Sequence, residues 1–126
     1  MTNHKTIFTT ERGERHQQIA LRLAPPELAV TMLRQPDRAT LLSHLATAEY
    51  WISERVGAID ASLLAAAPQL KLILRLGSLT HDIDLAAAQQ AGVIVCTWPQ
   101  GDVIRVAEQV IMQLLVLGKR RHSQIF

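Results

Sequence analysis

Ten consecutive residues, Arg75-Leu76-Gly77-Ser78-Leu79-Thr80-His81-Asp82-Ile83-Asp84, concentrate the groups with most to offer a ligand. A glycine lets the backbone turn sharply and approach a bound molecule closely. The amides around Gly77 and Ser78 are then free to donate to an anion such as a carboxylate. The same string also reads as an ordinary strand-to-helix turn, in which Ser78 or Thr80 caps a helix running through Asp82. On the residues alone both readings stand.

Other chemistries are excluded. No two glycines lie closer than Gly92 and Gly101, so the chain has neither a GxGxxG dinucleotide loop nor a phosphate-cradling P-loop. The histidines His4, His16, His44, His81 and His122 are dispersed, with no HExxH or paired spacing, and no metal site is expected. Cys96 is the single cysteine, which excludes an intrachain disulfide and a thiolate cluster. Within the apolar run Val93-Ile94-Val95-Cys96 it is expected to be a small buried thiol rather than a nucleophile. No residue is assigned a catalytic role.

The elements that must position the 75–84 segment follow from alternating apolar periods. Residues 5–9 form a candidate strand, and His16, Ile19, Ala20 and Leu23 then share one helical face before Pro25 and Pro26 stop it. A strand is expected over 28–33, and Pro36 and Asp37 open a helix carrying Leu42, Leu45 and Ala46. The expected order continues with a strand at 49–53, an alanine-rich helix at 59–67, and a break at Pro68. The run Leu70-Lys71-Leu72-Ile73-Leu74 is apolar on both faces, which suits an interior parallel strand covered by helices on each side. A helix over 82–90, a carboxyl cap at Gly92 and a strand at 93–96 complete the series. Such alternation implies an α/β fold with a parallel sheet and right-handed crossovers, with ligand loops at the carboxyl ends of the strands. The best-placed loop is the one after Leu74.

The segment 102–117 differs. Val103, Val106, Ala107, Val110, Leu114 and Leu117 make one apolar helical face, and Ile104, Ile111 and Leu115 extend it, leaving only a narrow polar stripe. A helix apolar over most of its circumference is normally buried on more than one side. A second domain, a second subunit or a membrane surface would cover it, the membrane ranking last because the polar stripe lacks abundant cations.

Length and composition frame these readings. A chain of 126 residues with 48% apolar and 19% charged residues is expected to fold as one compact unit. Its 13 Lys and Arg are scattered among 11 Asp and Glu for a net charge of +2, which does not point to nucleic acid. The short cluster Lys119-Arg120-Arg121 suits the carboxyl end of a helix. There is no signal-peptide core at the start and no run approaching the ~20 apolar residues that span a bilayer, so a cytoplasmic protein is expected.

The order Ala67-Pro68-Gln69-Leu70-Lys71, then the segment 77–84, then Ala91-Gly92-Val93 and Val106-Ala107-Glu108 resembles the D-isomer-specific 2-hydroxyacid dehydrogenase family. The likeness is strong over 48–119 and architectural over 1–47. It implies a flavodoxin-like substrate domain at 1–100, with helices on both faces of a parallel sheet, and a long interdomain-type helix and tail at 101–126. By resemblance, Leu76, Gly77 and Ser78 bind the carboxylate of a 2-hydroxy or 2-oxo acid through backbone amides. Ser53 and Arg55, in the loop after the preceding strand, face the same cleft, and His81 lines it or caps a surface helix.

NAD or NADP is implied as cofactor. The glycine-rich cofactor loop and the catalytic Arg, acid and His of the family follow the bridging helix, so none maps onto these residues, and a chain inactive by itself is expected. Asp102 stands where the family often has Asn, which puts its role in doubt. A homo-oligomer through 102–117 is expected, and the competing reading is a non-catalytic α/β oligomerisation or interaction module.

Overall fold

The computed structural model describes residues 3–54, 57–77, 79–97, 110–112 and 115–116. Within them the chain runs β1 (His4–Thr10), α1 (Glu14–Leu23), β2 (Leu28–Arg34), α2 (Arg38–Leu45), β3 (Tyr50–Ser53), α3 (Ala61–Ala65), β4 (Leu72–Arg75), α4 (Leu85–Gln90) and β5 (Ile94–Thr97). All strand pairs are parallel, and the sheet order is β2-β1-β3-β4-β5. Connections leave β1 toward one edge and then return past it to the other, so the carboxyl ends of β1 and β3 flank a topological switch point, where open α/β sheets bind ligands.

Register aligns residues into rows across the sheet. Thr31, Ile7, Trp51, Ile73 and Val95 form one row. Ile7, Trp51 and Ile73 within it are buried together with Leu41 and Leu45 of α2, Leu63 and Leu64 of α3, and Ala88 of α4. This face is the core. In its middle the Trp51 indole N–H donates to Thr9 Oγ1 at 2.9 Å, satisfying a polar group that burial would otherwise penalise.

The next row, Met32, Phe8, Ile52, Leu74 and Cys96, points to the opposite face. There burial is incomplete: the first four are intermediate and Cys96 is exposed. The expectation of a buried thiol is therefore corrected. β5 is an edge strand, and its outward row carries Cys96 beside a 64% exposed Ile94. α1 stands over this second face but contributes no buried residue, and its Ile19 and Leu21 are exposed.

Two helices start later than their apolar pattern suggests. Asp60 and Asp84 accept from Leu63 N and Ala87 N, capping α3 and α4. The residues just before those caps, Ile59 and Ile83, pair with each other as a parallel bridge. Helix was expected from 59 and from 82, but backbone pairing between the two loops takes precedence there. Gly92 ends α4 with φ +74°, as a left-handed carboxyl cap requires. Val110, Ile111, Met112, Leu115 and Val116 are helical, and the first four are about half exposed. The rest of the 102–117 helix lies outside the described residues.

Candidate functional site

The loop after β4 is anchored on both flanks and exposed at its tip. At its start, Leu76 N donates to the Ser53 carbonyl at 2.9 Å, which ties it to the end of β3. At its far side, Ile59 N donates to the Asp82 carbonyl at 2.8 Å and Asp84 N to the Ile59 carbonyl at 2.9 Å. Ile83 N closes a turn on the Thr80 carbonyl at 3.0 Å. Gly77, between these anchors, is exposed with φ +128°, a conformation that side chains strongly disfavour. Among the described residues its N–H has no backbone partner.

Arg75 fastens the loop from beneath. It ends β4 on the core face and is fully buried at 0% exposure. Its Nη1 donates to Asp82 Oδ1 at 2.6 Å and to the Leu79 carbonyl at 3.4 Å. Nε and Nη2 are buried without a partner among the described residues. Burial works to raise the Asp82 carboxyl, but the hydrogen bond and charge of Arg75 outweigh it and hold the group below its ordinary value of 3.8.

Beside the loop, α1 and the second sheet face enclose a cavity of about 440 Å³ at the switch point. Phe8, Ile19, Ala20, Met32 and Leu76 form its apolar walls, with Thr10, Arg12, His16, Gln17 and Glu54 as its polar rim. Glu54 accepts from Thr10 Oγ1 at 3.0 Å and from Arg12 Nε at 2.9 Å. Arg12 Nη1 lies 3.1 Å from His16 Nε2. Gln17 Nε2 donates to the Arg12 carbonyl at 2.8 Å. The rim is thus a closed network of partners.

The residues expected at the site separate accordingly. Gly77 is at the exposed tip. Leu76 does not offer its N–H to a ligand, since Ser53 already engages it, and contributes its side chain to the cavity wall instead. The Ser53 residue is buried at 1%, so its part is to hold Leu76 through its carbonyl rather than to face a cleft. His81 is exposed on the turn before α4. Ser78 and Arg55 lie outside the described residues, as does Asp102. Sequence reasoning missed Thr10, Arg12, His16 and Gln17. Their only signal was Arg12-Gly13 directly after a strand, which becomes informative once β1 is known to adjoin β3.

An all-parallel sheet in this order, with a glycine loop and a cavity at its carboxyl edge, defines a flavodoxin-like α/β domain. The family model for the D-isomer specific 2-hydroxyacid dehydrogenase catalytic domain matches residues 7–112. The chain belongs to that family. It is 32% identical over 109 residues to D-3-phosphoglycerate dehydrogenase of Mycobacterium tuberculosis, covering 81% of this chain and 21% of that protein. To (S)-sulfolactate dehydrogenase of Chromohalobacter salexigens it is 33% identical over 83 residues, covering 66% of this chain and 27% of that protein. The chain therefore spans about a quarter or less of the length of these relatives. In three dimensions it is similar to the NAD+-bound 3-phosphoglycerate dehydrogenase of Entamoeba histolytica, with a TM-score of 0.69 at 22% identity, covering 99% of this chain and 42% of that one. The match to a catalytic-domain model weighs against a purely structural interaction module.

The described residues do not fit a dinucleotide. The first βα turn, where a nucleotide-binding domain carries its glycines, is Glu11-Arg12-Gly13, with a single glycine at φ −73°. Among the described residues there is likewise no cluster of three metal-ligating side chains and no helix long and apolar enough to cross a membrane.

Proposed function

We propose that this chain is the substrate-binding part of an NAD(P)-dependent oxidoreductase acting on the CH–OH group of 2-hydroxy acids. The observation that carries the reading is the loop tip: Gly77 is exposed and left-handed, at the carboxyl edge of a parallel sheet, between hydrogen-bonded flanks. A carboxylate docks on the amides of Gly77 and Ser78, with Arg55 and His81 as flanking cations or donors. The relatives act on acids of this kind by name, 3-phosphoglycerate and sulfolactate.

The nicotinamide cofactor and the group that moves the hydroxyl proton come from outside these 126 residues. Residues 1–100 form the acid-binding domain and 101–126 the bridging helix and tail, with the apolar face at 102–117 packed on a second domain or in a homo-oligomer. A cytoplasmic location suits such an enzyme. Ligand-observed NMR tests the binding claim: D-lactate binds and lactamide does not, and equal binding of the amide overturns the reading. With NADH and glyoxylate, hydroxypyruvate or pyruvate, the 126-residue chain gives no turnover, and measurable turnover refutes the division of labour.

A further inference from the structure

The cavity at the switch point touches the candidate carboxylate loop through Leu76, and its chemistry differs from what a doubly charged ligand needs. Its walls are Phe8, Ile19, Ala20, Met32 and Leu76, all apolar. Among the described residues lining it, the one arginine is Arg12, and that guanidinium already holds Glu54 at 2.9 Å while contacting His16. Glu54 in turn has both oxygens engaged, by Thr10 and by Arg12. A phosphate or sulfonate entering here would meet a carboxylate, and would have to break an existing ion pair to gain a cation. An uncharged hydrocarbon tail meets neither obstacle and gains contact with the walls.

We propose that this cavity receives the side chain of the bound 2-hydroxy or 2-oxo acid and selects an apolar, branched or aromatic side chain over one ending in phosphate or sulfonate. The inference rests on the carboxylate-loop reading, because Leu76 and Glu54 directly follow the ends of the two strands that frame that loop. It also separates this chain's preference from the phosphorylated and sulfonated acids for which its relatives are named. The Arg12–Glu54 pair is charge-neutral as a unit, so Arg12 offers a second anionic group little net attraction.

The test uses the 15N-labelled 126-residue chain and three probes: pyruvate, 4-methyl-2-oxopentanoate and 3-phosphoglycerate. Each buried methylene is worth roughly fourfold in affinity. The branched acid, three carbons longer than pyruvate, is therefore expected to bind at least about tenfold more tightly, and 3-phosphoglycerate more weakly than pyruvate. The amides of Phe8 and Ala20 shift with the branched acid and stay unmoved with pyruvate. Ala20→Phe, which fills the cavity from a half-buried helical position, reduces the preference to less than threefold. Glu54→Gln raises the relative affinity for 3-phosphoglycerate. Failure of every acid to bind defeats the carboxylate-loop reading itself. Binding of pyruvate and the branched acid with equal affinity, or tightest binding of 3-phosphoglycerate, overturns the cavity inference and leaves that reading intact.

Discussion

Replacing Asp82 by alanine should damage this protein more than replacing the residue it pairs with, and the asymmetry follows from burial. Arg75 is completely buried, whereas the Asp82 side chain keeps 19% of its surface in water. Their 2.6 Å contact is the only short hydrogen bond Arg75 makes among the described residues, since Leu79 accepts at 3.4 Å and Nε and Nη2 have none. A guanidinium cannot shed its proton to escape burial. Asp82→Ala therefore strands a full charge in the core, a situation that costs about 3–5 kcal/mol. On a domain of this size that lowers Tm by roughly 10–20 °C.

Arg75→Met keeps most of the side-chain volume and removes the charge, leaving a carboxylate that water can reach, so the loss is about 1–2 kcal/mol. In the Asp82→Ala background, Arg75→Met should restore stability, because no orphaned charge remains. Urea unfolding of the three variants, with the slope m checked for constancy, measures each difference. A loss below about 1 kcal/mol in Asp82→Ala, or Arg75→Met as the more damaging single change, excludes a buried Arg75 charge held by Asp82.

Two further outcomes concern the same core. The Asp82 carboxyl is held below its ordinary 3.8 by Arg75 against the opposing effect of burial, so its contribution to stability is complete above that unfolded-state value and is lost as pH falls through the lower folded-state value. Urea midpoints should therefore be insensitive to this group from about pH 7 to pH 5 and drop below about pH 4, with the drop shallower in Asp82→Ala; an unchanged acid slope in that variant contradicts the assignment. Thr9→Val preserves shape but removes the acceptor of the Trp51 indole N–H, and is expected to cost about 1–3 kcal/mol by thermal or urea unfolding, against no change if a water replaces the hydroxyl.

Much of the architecture was legible because strand and helix periods alternate cleanly. Prolines at 25, 26, 36 and 68 and the glycine at 92 punctuate that alternation. The starts of α3 and α4 were not, since nothing in the local pattern reveals that Ile59 and Ile83 pair across two loops and that Asp60 and Asp84 then cap shorter helices. Strand order is also non-local. Without it, Arg12 and Glu54 are 42 positions apart with no reason to meet, and the cavity they rim cannot be read. Arg75 is the clearest case of a hidden residue: the sequence places it among the groups offered to a ligand, yet it is fully buried and its short hydrogen bond goes to the partly exposed Asp82. Cys96 errs in the opposite direction, because an apolar run gives no hint that its strand lies at the edge of the sheet.

A carboxylate is proposed to dock on the exposed tip between the anchors of the β4 loop. The most direct measurement of this docking is the backbone amide resonance of Gly77 in the 15N-labelled chain during titration with D-lactate. A saturable downfield shift is expected at Gly77, with the Leu76 amide, already bonded to Ser53, moving far less. A Gly77 resonance that stays fixed at saturating acid, while amides on another part of the sheet move, would contradict it.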